Sequence, residues 1–262
     1  SYMALPIIQS LWIGGKLSPI EQLSISSFLK NNHKYHLYTY GEVIGVPEGT
    51  TLMDANLILP EKDIFTYNEG SYAGFADWFR WKLLYEKGGF WVDTDMICLK
   101  PFDFDTDVVF GAESGELVCP AVLGFPAGHE ICAFLRDSCE KPNDYLPYDR
   151  KSTRRKKRKR KFWGKGRADI EWGESGGPEG FTKALRHFNI LDKAKPFMFF
   201  FPIHFSNWHT IYNDAFKNGT DLFNDTYAIH LWNEMSRRES LDKYAAFDEN
   251  SLLEKLKRKF LK

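Results

Sequence analysis

Two aspartates spaced two apart can bring both carboxylates to one hard cation, and the chain has three such pairs: Asp93/Asp95, Asp103/Asp105 and Asp105/Asp107. The last two follow Pro101 in a polar stretch and read as a solvated turn. Asp93 and Asp95 instead follow the apolar run Phe90-Trp91-Val92, so charge arrives at the end of a short buried strand. A carboxylate there is costly unless a basic side chain or a cation neutralises it, and the desolvation cost of a buried salt bridge favours the cation. Oxygen ligands suit Mg²⁺ or Mn²⁺ completed by a phosphate-bearing substrate, not structural zinc. Asp77 and Arg80, three apart, share a helical face; they are either an ordinary intrahelical ion pair or a carboxylate and guanidinium offered to one ligand.

Charge is unevenly distributed. The 35 basic and 35 acidic residues cancel over the whole chain, yet ten of the twelve positions from Arg150 to Lys161 are Lys or Arg, leaving 25 basic against 35 acidic residues elsewhere. Like charges resist ordering, so the run reads first as a solvated loop. Docking on an anionic membrane ranks second. Nucleic-acid binding ranks last, because no reading motif accompanies the run.

The elements that must hold the acidic pair follow from periodicity and punctuation. Leu5 to Ile13 reads as a first strand turning at Gly14-Gly15, where a nucleotide could sit; Glu21 to Leu29 reads as a helix and His36 to Tyr40 as a second strand, a β-α-β start. Residues Val43 to Leu59 read as short strands and loops. Phe75, Phe79, Leu83 and Leu84 line one face of a helix over Tyr72 to Lys87, stopped by Gly88-Gly89. Strands are expected at Phe90 to Val92, Val108 to Phe110, Val118 to Phe125, Phe197 to Phe201 and Tyr227 to Leu231. Helices are expected at His129 to Ser138, Pro178 to Phe188 and Ser251 to Lys262. This alternation implies an α/β layered domain with a mixed central sheet flanked by helices, one domain over residues 1–262 with a basic insert at 150–161. The longest apolar run, Phe197 to Ile203, falls short of the roughly 20 residues that span a bilayer. Ser1 and Tyr2 read as an appendage before Met3, with no secretory signal, and the four dispersed cysteines fit a reducing cytosol.

The stretch Phe75-Ala76-Asp77-Trp78-Phe79-Arg80, with Leu83-Leu84-Tyr85, Gly88-Gly89-Phe90-Trp91-Val92-Asp93-Thr94-Asp95 and Leu99-Lys100-Pro101, closely resembles the sugar-binding D-x-D region of family 32 glycosyltransferases. The pattern also resembles the glucosylating domains of large clostridial toxins. A distant segment, Phe200-Phe201-Pro202-Ile203 with Trp208 and Ala228-Ile229-His230-Leu231-Trp232-Asn233, resembles the C-terminal region of α1,4-galactosyl- and α1,4-N-acetylglucosaminyltransferases. Leu5 to Gly15 and Gly177 to Thr182 add weaker matches; the basic run has none.

The resemblance implies a GT-A-like fold, a UDP-sugar donor, a divalent metal (Mn²⁺ or Mg²⁺) and retention of anomeric configuration. It implies metal ligation by Asp93, Asp95 and His230, and donor contacts from Trp12, Gly14, Asp77, Arg80, Asp93, Gly177, Pro178, Trp232 and Asn233. Trp12 is equally readable as core, and the Gly177-Pro178 pair as a plain helix start. No nucleophile stands out: Glu113, Glu174 and Glu179 are carboxylates in plausible regions, so front-face attack is favoured by analogy with the family. Where relatives carry Asn-Ala this chain has Pro120-Ala121, which leaves an acceptor contact unassigned. The function expected is transfer of a hexose or N-acetylhexosamine to a glycan or lipid-linked oligosaccharide hydroxyl, in bacterial lipopolysaccharide or capsule synthesis at the inner face of the cytoplasmic membrane. The rivals are a D-x-D phosphatase, disfavoured because its motif normally lies on a first strand, and a non-catalytic glycan- or membrane-binding module.

Overall fold

The computed structural model describes residues 4–219 and 223–261; the Ser1 to Met3 stretch and Lys262, the last residue of the expected C-terminal helix, lie outside them. β1 (Ile8–Leu11), α1 (Pro19–Lys30) and β2 (Tyr35–Thr39) form the expected β-α-β start, with β2 parallel to β1. α1 starts at a capping box: the Ser18 hydroxyl accepts from the Ile20 N–H and the Glu21 carboxylate accepts from the Ser18 N–H. β3 (Thr51–Asp54) extends this parallel edge.

α2 (Ala73–Lys87) ends at Gly88. Gly88 sits at φ +64°, and a Cβ there would lie 2.4 Å from the Ala127 amide nitrogen, so only glycine lets the chain reverse at once into β4 (Gly89–Val92). β4 pairs parallel with β1 and antiparallel with β7 (Leu117–Phe125), which pairs with β6 (Val109–Ser114). The sheet therefore has six strands in the order β3-β2-β1-β4-β7-β6. On one face α2, α3 (Glu130–Glu140) and α5 (Pro178–His187) enclose a core containing Trp78, Phe79, Trp81, Phe125 and Phe181. On the other, α1 and the C-terminal helix α7 (Leu252–Phe260) enclose Phe28, Val92, Phe102, Phe200 and Ile229; α6 (Asn233–Arg238) precedes α7 in the chain. A mixed sheet with helices on both faces is the GT-A-like α/β architecture expected.

Two expectations are corrected, and the strand expected at Tyr227 to Leu231 is present. Phe197 to Phe201 is not a strand: Phe197–Phe199 forms a 3₁₀ turn, and Phe200 and Phe201 plug the core over Gly111. A continuous aromatic run carries no period, and here prolines 196 and 202 bracket it and remove backbone donors. The last strand, β8 (Ala228–His230), pairs antiparallel with β5 (Met96–Cys98) in a separate two-stranded sheet. The basic run is no loop but helix α4 (Lys151–Phe162). Lysine and arginine are good helix formers, and their repulsion is relieved by acids outside the run: Lys157 pairs with Asp149 at 2.6 Å, and Arg160 with Glu174 at 2.7 Å. No helix among the described residues is long and apolar enough to cross a membrane.

Candidate active site

β1 is flanked by β2 on one side and β4 on the other, so the chain order reverses at the β1/β4 pair. In open α/β sheets ligands bind outside the carboxyl ends of strands at such a switch point. The parallel register Ile8↔Phe90 and Gln9↔Trp91 releases both strands at one edge, so Trp12–Gly14 leaves β1 where Asp93–Asp95 leaves β4. Asp93 and Asp95 sit in a tight turn closed by the Met96 N–H donating to the Asp93 carbonyl. β5 then pairs Met96 with His230 of β8, which brings an imidazole from far along the chain to the acidic pair.

One ligand atom from each of Asp93, Asp95 and His230 lies within 4.8 Å of the others. His230 Nε2 is 3.3 Å from Asp95 Oδ2, and the same oxygen accepts from the Asn233 backbone N–H at 3.0 Å. Asp93 Oδ1 accepts from the Trp91 indole at 2.9 Å and from Arg80 Nη1 at 3.2 Å. Arg80 also reaches Asp77 through Nη2 at 3.3 Å and donates to the Pro120 carbonyl at 2.6 Å. Each terminal guanidinium nitrogen therefore holds a fixed partner, so the group is preorganised.

Burial outweighs the neighbouring Arg80 at Asp77 and, with repulsion from Asp93, lifts its carboxyl to about 7. Burial likewise holds Asp93 above the usual carboxylate range despite Arg80. Asp95 goes the other way: burial raises it, but His230 and the Asn233 amide outweigh that and hold it low. For His230, burial disfavours the imidazolium, and the carboxylates of Asp95, Asp93 and Glu113 more than compensate, leaving it raised. The buried carboxylates of Asp77 and Asp95 and the part-buried carboxylate of Asp93 thus face Arg80 and one histidine. The residues fit a hard divalent cation. His230 Nδ1 and Asn233 Oδ1 are buried without a hydrogen-bond partner, and the two carboxylates suit a hard divalent cation, the imidazole favouring Mn²⁺ over the strictly oxygen-seeking Mg²⁺.

Residues 21–113 match the glycosyltransferase sugar-binding region containing the DXD motif, and residues 172–260 match the α1,4-glycosyltransferase conserved region. Two separate stretches of the chain thus match glycosyltransferase regions, one containing the DXD motif and one of the α1,4 type. It is 29% identical over 180 residues to the lactosylceramide 4-alpha-galactosyltransferase of Rattus norvegicus, covering 64% of this chain and 42% of that one. The counterpart in Pongo pygmaeus is 28% identical over 196 residues, covering 68% and 78%. The chain thus spans less than half the length of the rat relative it matches. Among solved structures, the PaToxG glycosyltransferase aligns with a TM-score of 0.46 at 16% identity, over 72% of this chain and 74% of that one.

The glycosyltransferase regions bring together most of the residues singled out in the sequence, though not all. Gly177 caps the start of α5 beside Asp77: a Cβ on it would lie 3.1 Å from Asp77 Oδ2 and 2.5 Å from Gly173 Cα. Pro178 occupies the first helical turn, as its missing N–H allows. Trp232 packs edge-on against His230 with centroids 4.3 Å apart, and its indole donates to the Ile203 carbonyl. Its φ of +56° is rare for a bulky residue. That left-handed turn swings the Asn233 N–H onto Asp95. Trp12 is half-buried, its indole donating to the Lys16 carbonyl and its ring beneath the Lys243 ammonium; Gly14 lies exposed at φ +138°.

The three candidate glutamates separate. Glu113 is buried on β6, where burial raises its carboxyl and the charge of His230 partly lowers it. Glu174 is not brought there: its carboxylate grips Arg160 through both oxygens and is held low. Glu179 is half exposed on α5 and pairs with Lys183 one turn on. The solvated reading of Asp103, Asp105 and Asp107 holds, since all three are exposed. The Trp91 indole and the Pro120 carbonyl were missed as site groups. The first was readable in the two-residue spacing that puts Asp93, just past the end of β4, on the same side as Trp91; the second, a backbone oxygen, left no signal.

Proposed function

We propose that residues 1–262 act as one catalytic unit, a metal-dependent retaining glycosyltransferase that moves a hexose or N-acetylhexosamine from a UDP-sugar to a glycan hydroxyl. The observation that carries this reading is the convergence of Asp93, Asp95 and His230 within 4.8 Å at the carboxyl edge of the sheet. UDP-galactose and UDP-N-acetylglucosamine lead the donor list, and the name of the rat relative favours galactose. A lipid-linked glycan, such as a surface-polysaccharide intermediate, is the acceptor class.

Asp93, Asp95 and His230 would hold the cation, which would supply Lewis-acid neutralisation of the diphosphate. Arg80, locked by Asp77, Asp93 and the Pro120 carbonyl, is a fixed positive group beside that charge and needs no reorganisation as it builds up. Asp77, with its carboxyl near neutrality, can accept or donate a hydrogen bond to a sugar hydroxyl. The bond from the anomeric carbon to the β-phosphate oxygen breaks with its electron pair on the phosphate. The acceptor oxygen forms the new bond on the same face, and its proton passes to the leaving phosphate. Glu174 is committed to Arg160, and Glu179 lies on the exposed face of α5, which leaves Glu113 alone among the candidate glutamates as a rival to this front-face route.

The test is a screen of nucleotide sugars for Mn²⁺-dependent thermal stabilisation and slow hydrolysis, with the anomer first formed read by NMR. A UDP-sugar that raises the melting temperature only with the metal, and a retained anomer, are expected. Stabilisation by no nucleotide sugar would overturn the reading, and a covalent adduct on Glu113 would replace front-face attack with double displacement.

A further inference from the structure

Helix α4 lies in the interval between the two matched regions, residues 21–113 and 172–260, and it has two different basic faces. The inner face is saturated. Lys157 reaches Asp149, and Lys156 and Arg160 converge on Glu174, which lies three residues before Gly177. The outer face is not. Lys151, Arg155 and Lys159 recur every fourth residue, so they form one stripe along the helix, and all are exposed without a partner among the described residues. Phe162 lies three residues beyond Lys159 on the same stripe, with Trp163 next to it. Their side chains are 81% and 71% exposed, the highest values among the large hydrophobics of the described residues, and their rings meet edge-on at 5.3 Å. A solvated helix needs no such pair.

We propose that the outer face of α4 docks the protein on an anionic lipid bilayer, with Phe162 and Trp163 entering the headgroup region at one end. A straight stripe of cations about 12 Å long matches a flat charged surface. An aromatic pair at its end matches the interfacial zone, where amphipathic rings are favoured. A nucleic-acid partner is less well matched, because the rings stand at the end of the row and not interleaved along it. Because Glu174 ties the inner face of this helix to the segment leading into Gly177, docking would hold the candidate active site close to the membrane.

The test uses the whole protein, without donor or metal, in co-sedimentation with vesicles of phosphatidylcholine alone and of phosphatidylcholine with phosphatidylglycerol. Binding only to the anionic vesicles, weakening as salt rises, is expected. Arg155→Glu with Lys159→Glu should weaken it by roughly a thousandfold, since each reversal both removes an attraction and adds a repulsion. Phe162→Ala with Trp163→Ala should weaken it by about tenfold, and brominated lipid should quench the indole fluorescence that Trp163→Phe removes. Equal affinity for neutral vesicles, binding indifferent to the aromatic pair, or capture of an RNA or DNA duplex in place of vesicles would each overturn the proposal. All four positions are exposed, so an unchanged melting temperature separates docking from folding, and vesicle binding is read independently of any glycosyl transfer.

Discussion

Two charge clusters in this molecule contain similar groups and differ in what they leave open. Around α4, each buried cation has a matched acid: Lys157 with Asp149, Arg160 with both oxygens of Glu174. At the carboxyl edge of the sheet, Asp77, Asp93 and Asp95 outnumber Arg80 and His230, and His230 Nδ1 and Asn233 Oδ1 remain without partners. The first arrangement stabilises a helix that its own repulsion would otherwise melt. The second crowds more carboxyl groups than cations together and raises Asp77 and Asp93 above the usual range, an imbalance that a bound cation can relieve, which is the physical difference between a structural ion pair and a binding site.

That contrast can be broken by substitution. Asp95→Asn should lower Mn²⁺-dependent turnover of a UDP-sugar by about a thousandfold while leaving the apo melting temperature within a few degrees, measured by steady-state kinetics and a thermal scan. If the apo protein instead unfolds, Asp95 belongs with the structural pairs. Asp149→Asn, which leaves the buried Lys157 ammonium without its counter-charge and with the neutral Asp144 carbonyl, should cost about 3 kcal/mol in urea unfolding and leave metal affinity untouched.

A pH titration sharpens the same contrast. Asp77 carries a carboxyl raised to about 7 against an ordinary value of 3.8. The folded chain therefore binds more protons than the unfolded one between those values, so stability falls as pH rises through the window and levels off above it. From about pH 5 to about pH 7 the wild-type protein should lose roughly 2 kcal/mol relative to Asp77→Asn, read by urea denaturation at each pH. The smallest effect is expected at Glu179. Its pairing with Lys183 is solvent-exposed, so Glu179→Gln should change stability by less than about 0.5 kcal/mol and turnover by less than about twofold. A loss of turnover beyond tenfold would return Glu179 to the candidate nucleophiles.

Much of the scaffold was legible because it rests on local signals. The apolar face of α2, the double glycine after it and the short apolar run of β4 lie within one continuous segment, Ala73 to Val92. Phe197 to Phe201 was misread because an unbroken apolar run has the same appearance in a buried strand and in a core plug. The basic run was misread for a different reason. Asp149 and Glu174, which neutralise it, lie 8 and 14 residues from their partners, beyond any spacing that a helical or strand period reveals.

What the sequence determined by itself was the chemistry on offer: a carboxylate pair at the end of a buried strand, a guanidinium and carboxylate on one helical face, and a second segment ending in His230. These depend on residue type and on periods of a few residues. Only tertiary structure decided which groups meet. The pairing of Met96 with His230 joins positions 134 residues apart, and the left-handed turn at Trp232 turns a backbone amide onto Asp95. Tertiary structure also sent Glu174 to Arg160 and buried Glu113 within electrostatic reach of the imidazole. The physical reason is that a charge is worth little until its desolvation and its neighbours are set, and both are properties of the packed chain.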